Sequence, residues 1–214
     1  PAVPPMFCML MRKHLTSAQI TDVRQNGLDR VLAIDFSATN ELGDKVALTL
    51  YAEIMAKHSN LILVSESGRI VDAVKRIDCT QSSVRQILPG GEYHDPPAQN
   101  KLSLLEETAE KTTKTVFSFS SKMLSSSLLS CVEGASPLIC REIAETSGGD
   151  VQTGCADEAQ RERVCAALES IKNRLDSNSG EPTMLKDESG KPFDFSFEEI
   201  HQYGTAYTSE SYDS

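Results

Sequence analysis

Apolar and polar residues alternate along the first third of the chain, with a period of two that predicts β-strands. An apolar stretch over residues 6–14 comes first, and it predicts an opening helix because Pro4-Pro5 suits a first turn and basic residues suit a last one. Turn-forming residues such as Asn26-Gly27 then separate five short segments, so we expect consecutive strands to pair as an antiparallel β-meander. The predicted strands are 20–24, 30–36, 46–51, 61–64 and 70–74.

The pattern changes after a stretch rich in Pro and Gly over residues 88–101, which predicts a linker or a covering loop. Helical periodicity follows, and after residue 178 the pattern is again extended, which predicts a hairpin of strands 183–185 and 193–197. The end of the chain, 203–214, is polar and acidic, and we expect it to be loose. The predicted helices are 102–111, 116–129, 137–146 with a Ser136 cap, and 157–175.

This order of elements predicts an α+β fold. We expect a β-rich domain over residues 1–101, a small helical domain over 102–178, and a hairpin with an acidic tail over 179–214. The chain opens with Pro1 in place of an initiator Met and stops in mid-pattern, so we interpret it as an excised piece of a longer protein.

Composition narrows the class of protein. Six Cys in 214 residues, with no C-x-x-C pair, predict neither a disulfide framework nor a zinc site, and no apolar run reaches the length of a membrane span. We therefore expect a cytoplasmic protein without membrane contact. The net charge is −10, but residues 1–101 hold 11 basic and 11 acidic side chains, so the whole excess of acid falls in residues 102–214. A polyanion is thus expected to meet the first half of the chain, or to be bound by a neighbouring segment of a longer protein.

Sequence motifs for catalysis are missing. The chain has no nucleophile elbow, no phosphate-binding loop and no dinucleotide-binding fingerprint, and its four His are isolated from one another. We expect no catalytic residues, no metal, no cofactor and no enzymatic activity.

Two segments instead have the character of nucleic-acid contacts. Residues 132–143 combine an apolar residue, a Gly-containing turn and a helix, as in a helix-hairpin-helix motif whose turn amides point at a phosphate; the alternative is a helical hairpin used only for packing. Asp29-Arg30 follow the Asn26-Gly27 turn, where an Arg can offer its donor fork to a phosphate or a base edge; the alternative is a surface ion pair.

Several strings of residues occur in a characteristic order and at nearly constant spacing. They are residues 7–15 with Arg12-Lys13-His14-Leu15, Gly27-Leu28-Asp29-Arg30-Val31, Leu42-Gly43-Asp44, Glu53-Ile54-Met55, residues 58–64, Leu88-Pro89-Gly90 with Tyr93, and residues 96–101. Together these strings resemble the NFACT family. The resemblance covers essentially the whole chain, as the C-terminal portion of the family's N-terminal domain followed by its helix-hairpin-helix domain.

The resemblance implies both a fold and a function. The first domain would resemble the N-terminal domain of formamidopyrimidine-type DNA glycosylases, although Pro1-Ala2 lacks the Pro-Glu start of those enzymes. Family members bind tRNA, alanyl-tRNA in bacteria, and a large ribosomal subunit obstructed by peptidyl-tRNA, and they support template-free C-terminal alanine tailing of stalled chains. The resemblance therefore implies a factor of ribosome-associated quality control. It leaves open a fibronectin-binding, adhesin-like protein, which is disfavoured because no signal peptide or repeat array is visible, and a glycosylase-like nucleic-acid-binding domain without catalysis.

The resemblance also assigns site residues. Asp29 and Arg30 match a family pair needed for tRNA binding and tailing, and Glu53-Ile54-Met55 match a second motif with the same role. Contacts to the RNA phosphates are expected from a basic cluster at the end of the opening helix. This cluster consists of Arg12, Lys13 and His14.

Overall fold

The alternating first third of the chain folds into an antiparallel meander. The computed structural model describes residues 3–119 and 123–213, which divide into unit 1, ending at Pro97, and unit 2, beginning at Ala98. In unit 1, helix α1 spans Met6–Leu15 and five strands pair in sequence order, which confirms the predicted opening helix and meander. The strands are β1 Gln19–Gln25, β2 Val31–Thr39, β3 Lys45–Glu53, β4 Asn60–Ser65 and β5 Ile70–Ala73.

The two faces of this sheet are covered by different segments. Tyr51 of β3 lies opposite Ile62 of β4, and Leu50 lies opposite Leu63, so neighbouring residues point to opposite faces. On the Leu63 face, α1 packs through Leu10, Met11 and Leu15. On the Ile62 face, the chain between β5 and Pro97 packs through Ile77, Ile87 and Tyr93. The Tyr51 side chain therefore points toward this segment, residues 74–97, which we call the covering loop from here on.

Unit 2 is built on four helices, α2 Ala109–Phe117, α3 Leu124–Cys131, α4 Pro137–Gly148 and α5 Glu158–Ser177. The last two confirm the predicted helices, and the Ser136 hydroxyl caps α4 by accepting from the N–H of Ile139 at 3.2 Å. The helices share one apolar core of fully buried side chains. Its most enclosed members include Val116, Leu124, Leu128, Ala144, Val164 and Leu168.

The first two predicted helices of this half are misplaced. Residues 102–107 are not helical. The backbone of Leu102 instead donates to Cys131, the last residue of α3, and accepts from Glu133, just after that helix. Helix α2 begins only after Thr108, whose hydroxyl accepts from the N–H of Lys111 at 3.2 Å. The predicted single helix over 116–129 is instead interrupted: its start belongs to α2, which ends at Phe117, and its end belongs to α3, which begins at Leu124. Residues 120–122 lie outside the described residues.

A small three-stranded sheet completes unit 2. The predicted hairpin is confirmed as β6 Thr183–Lys186 and β7 Pro192–Ser196, with Met184 opposite Phe195. The expectation of a loose tail is wrong for Thr208–Ser211, which form β8 and pair with the other side of β6. The polar tail becomes a strand because the second edge of β6 offers backbone partners. In the residues that the structure describes, no helix is both long and apolar enough to cross a membrane.

Candidate nucleic-acid interface

The turn between β1 and β2 presents Asp29 and Arg30 at one corner of the five-stranded sheet. Gly27 adopts a φ of +54°, a left-handed conformation that Gly accepts without strain. The Asp29 carbonyl accepts from Gln25 Nε2 at 2.6 Å, and the Arg30 carbonyl accepts from the N–H of Ile54 at 2.8 Å. The backbone of the pair is thus fixed from both neighbouring strands.

The side chains of this pair are unengaged. Arg30 is exposed and Asp29 is half-buried, and within residues 3–119 and 123–213 neither side chain makes a hydrogen bond or an ion pair. Arg24, on the neighbouring strand, is different, because its guanidinium pairs with the Asp35 carboxylate. Arg30 therefore keeps all of its donors for an external acceptor such as a phosphate or a base edge.

A cleft of about 320 Å³ opens beside Asp29, on the sheet face that carries Tyr51. Apolar side chains of the central strands and polar side chains of the turn and the covering loop line it together. This mixture suits a planar group with a polar edge. The lining includes Arg24, Gln25, Asn26, Ala33, Tyr51 and Asp95.

Glu53, at the end of β3, is buried with only 3% of its surface exposed. Its two carboxylate oxygens accept from the guanidinium of Arg85 at 2.6 and 3.0 Å, and one of them also accepts from the hydroxyl of Tyr93 at 3.2 Å. All of these donors come from the covering loop. The structure therefore places Glu53 under the surface, where it fastens the loop to the sheet and is not available to an external ligand.

Aromatic stacking extends this buried network. The rings of Tyr51 and Tyr93 stack with centroids 3.9 Å apart, and the Arg85 guanidinium lies 5.1 Å from the centre of the Tyr93 ring. Burial, reinforced by the nearby Glu53 carboxylate, raises the pKa of Tyr93 well above its ordinary value. For Arg85, burial acts to lower the pKa, but the hydrogen bonds and charge of Glu53 outweigh it and raise the pKa overall. Both groups thus stay protonated at neutral pH.

Arg85 is the site residue that sequence reasoning missed. It meets Glu53 across 32 positions of sequence, so no local spacing links them. Tyr93 belongs to one of the strings that match the family, but nothing in that string gave it a role. The only available signal was a lone Arg in a stretch without regular structure.

Of the other two residues of the second motif, Ile54 lies next to Arg30. Ile54 is 56% exposed and donates its N–H to the Arg30 carbonyl, whereas Met55 is half-buried and donates its N–H to the Ser59 hydroxyl at 2.9 Å. The structure thus brings Asp29, Arg30 and Ile54 to one exposed corner. Glu53 lies beneath it as support.

The basic end of α1 lies elsewhere. Arg12 is exposed, His14 is half-buried, and Lys13 pairs with Glu41 at 3.0 Å, which lowers the pKa of that carboxyl. Glu41 lies in the turn between β2 and β3, at the end of β2 opposite to Asp29-Arg30. The structure does not bring Arg12, Lys13 and His14 together with the Asp29-Arg30 corner.

The turn between α3 and α4 forms a helical hairpin. Gly134 has a φ of +70°, and the flanking Val132 and Leu138 are buried, which anchors both helices. Glu133 lies beside the turn and is half-buried. The hairpin therefore has a packing role, and its exposed turn at Gly134 and Ser136 stays open to solvent.

The fold and this corner together define the class of protein: an antiparallel meander whose Asp-Arg turn makes no side-chain pair in the described residues, followed by a helical unit that contains a helical hairpin. The chain belongs to the NFACT family, since the model of the NFACT N-terminal and middle domains matches residues 1–214.

Three comparisons give the context. The chain is 38% identical over 149 residues to the Rqc2 homolog RqcH of Bacillus subtilis (strain 168), covering 69% of this chain and 26% of that protein. A solved structure of the fibrinogen binding protein from Staphylococcus aureus matches 99% of this chain and 73% of its own, with a TM-score of 0.76 and 30% identity. The N-terminal structure of the fibronectin/fibrinogen-binding protein from Streptococcus suis matches 94% of this chain and 67% of its own, with a TM-score of 0.68 and 28% identity. The chain thus spans about a quarter of the length of the Bacillus relative.

Proposed function

We propose that this chain is the tRNA-contacting part of a ribosome-associated quality-control factor, and that it acts in template-free alanine tailing of chains stalled on an obstructed large subunit. The observation that carries the proposal is the unpaired Arg30, exposed beside Asp29 on a backbone held from both sides. Similarity to a protein named Rqc2 homolog RqcH supports the quality-control role.

The geometry favours recognition by shape and a few contacts over strong ionic binding. Residues 1–101 balance 11 basic against 11 acidic side chains, so the field around the corner adds little general attraction for phosphate. An Arg donor fork, an adjacent carboxylate and a cleft of mixed polarity offer contacts to the bases of an unpaired RNA segment instead. We propose no catalytic step for this chain; its role is to bind and hold tRNA.

Co-purification from cells tests the proposal. Tagged protein is isolated with its associated tRNA and large ribosomal subunits, alongside Arg30→Ala and the paired variant Asp29→Ala/Arg30→Ala. We expect both variants to fold normally, since neither side chain has an intramolecular partner in the described residues, and to lose most of the co-purifying tRNA. Unchanged tRNA recovery in the double variant would remove the proposal.

A second candidate function is binding of fibrinogen or fibronectin. It is suggested by the names of the two solved structures that are similar to this chain. Surface plasmon resonance on immobilised fibronectin and fibrinogen tests it, with the same Arg30→Ala variant as a comparison. Tight binding that Arg30→Ala leaves intact would assign it to another surface. We expect no specific binding.

A further inference from the structure

The small sheet of unit 2 has an outer face that the tRNA proposal does not use. Met184 in β6 lies between Phe195 of β7 and Glu210 of β8, while its neighbour Leu185 points the other way and is buried in the helical core. The N–H of Tyr212 donates to the Pro182 carbonyl at 2.8 Å, which continues the pairing of β8. By the period of two, Phe195, Phe197 and Tyr212 belong to the face of Met184.

This outer face is aromatic and open. Phe195 is 74% exposed, Tyr212 is 46% exposed and Phe197 is 39% exposed. None of the three joins the apolar core that the structure describes in unit 2. Scattered exposed apolar residues are ordinary, but three large exposed rings that share one small sheet face are the kind of cluster that marks an interaction site.

The charge around this aromatic face indicates which class of ligand it can bind. Residues 179–213 contain eight acidic and two basic side chains. Arg174 of α5 pairs with two of these acids, Glu181 and Glu198, and the region remains net acidic. Of the two basic side chains, Lys186 is already paired with Glu210. Aromatic sheet faces do stack nucleobases in RNA-binding modules, but those modules surround them with positive charge, whereas here phosphate would be repelled.

Aromatic faces bordered by carboxylates suit cationic side chains, and guanidinium best of all, because it stacks on a ring while its donors reach neighbouring acids. Among the strands that the structure describes, β7 and β8 each pair with β6 alone, so the sheet ends in open strand edges. An extended polypeptide can align its backbone along such an edge and place alternate side chains on the aromatic face. Both features point to the same ligand.

We propose that the outer face of Phe195, Phe197 and Tyr212 binds an extended, Arg-rich segment of a partner protein. Guanidinium groups stack on the rings, and acidic side chains of the tail such as Asp213 add electrostatic attraction. This surface lies outside the Asp29-Arg30 corner and its failure would leave the tRNA proposal untouched.

Fluorescence anisotropy with a synthetic 12-residue peptide of alternating Arg and Leu tests this proposal on the complete chain. We expect binding that weakens with salt, and a loss of at least about ten-fold in the double variant Phe195→Ala/Tyr212→Ala. Phe195→Trp should retain binding and Phe195→Leu should lose most of it, because stacking needs a ring. The matched control is Leu42→Ala, which removes an equally exposed apolar side chain from unit 1 and should have no effect.

Three results would overturn the proposal. Equal peptide affinity in wild type and double variant would place the peptide elsewhere. Binding of a 12-nucleotide oligouridine that the double variant loses would make the face a nucleic-acid surface. A concentration-dependent dimer in sedimentation that the double variant abolishes would make the occupant a second copy of this chain.

Discussion

In the described residues, each unit buries one glutamate side chain, and the hydrogen-bond donors that satisfy the two carboxylates differ in kind. In unit 1, Glu53 meets the guanidinium of Arg85, a charged partner whose side chain is only 14% exposed. In unit 2, the buried Glu142 of α4 accepts from the backbone N–H groups of His201 and Gln202 at 2.9 and 3.0 Å, and contacts the His201 imidazole at 2.9 Å. Glu53 therefore joins a loop to a sheet through an ion pair. Glu142 joins a loop to a helix mainly through backbone amides.

The difference extends to the surfaces. Unit 1 pairs one arginine with its buried carboxylate and leaves another, Arg30, exposed and unengaged in the described structure. Residues 102–214, which lie within unit 2, carry the entire net charge of −10. An RNA contact is therefore expected on unit 1, whereas unit 2 is suited to cationic partners.

The largest expected effect comes from breaking the charged pair. Arg85→Ala strands the Glu53 carboxylate in a buried site, which should cost about 3–5 kcal/mol in the free energy of unfolding. Denaturant unfolding measures it, and hydrogen exchange of the β3 amides locates it. Lys13→Ala, which breaks the exposed pair with Glu41, is the control and should leave the free energy of unfolding nearly unchanged. Similar losses in the two variants would mean that the Glu53 network is not what holds the covering loop.

The amide-bound glutamate should be the less costly of the two to remove. Glu142→Ala leaves the N–H groups of His201 and Gln202 without their acceptor, for a loss of about 1–3 kcal/mol. Glu142→Gln should recover part of this, since an amide oxygen still accepts one bond. Hydrogen exchange at residues 201 and 202 should accelerate in the Ala variant. Exchange at the wild-type rate would contradict the anchoring role.

Asp72 is an intermediate case, since it is buried but its partner Arg76 is half-exposed. Hydrogen bonds from Arg76 lower the pKa of Asp72 despite its burial. A lowered folded-state pKa stabilises the fold above the unfolded value, near 4, and that stability is lost as pH falls through the folded value. Stability curves from pH 7 to pH 2 should therefore separate wild type from Asp72→Asn by about 1 kcal/mol at neutral pH and converge in acid. A constant gap would show that the carboxylate charge is not responsible.

The smallest perturbation compares one thiol from each unit. Cys79 is exposed, whereas burial raises the pKa of Cys140 to about 12, so Cys140 stays protonated at pH 8. An aromatic disulfide reagent at that pH should label Cys79 quickly and reach Cys140 only after denaturant is added. Mass spectrometry of the labelled peptides identifies each site. Rapid labelling of Cys140 in the folded protein would contradict its burial.

The meander could be predicted because each strand has its own alternation and each turn its own Gly or Asn, so the information is local. The helices around residues 102–131 could not be placed. Helix α2 contains three buried β-branched residues, a type that has a lowered helix propensity. They are Thr112, Thr113 and Val116. Strand β8 is polar throughout, and its structure comes from pairing with β6, which no pattern within 208–211 reveals.

The candidate site divides in the same way. Asp29-Arg30 could be singled out only through the family resemblance, because a turn directly before a strand left a surface ion pair equally open. In the described residues the structure shows no such ion pair. The burial of Glu53 could not be foreseen. Its partners, Arg85 and Tyr93, lie 32 and 40 positions away in a segment without regular structure, so only the folded chain unites them.

The central claim is that Arg30 contacts tRNA, and binding of fluorescently labelled bulk tRNA to this chain at several salt concentrations tests it most directly. Arg30→Ala is compared with Lys45→Ala, an exposed cation at the far end of the same β2–β3 pair. We expect Arg30→Ala to weaken binding at least several-fold and to lower the dependence on salt by about one phosphate contact, with Lys45→Ala close to wild type. Equal affinities and equal salt slopes for all three proteins would contradict the claim.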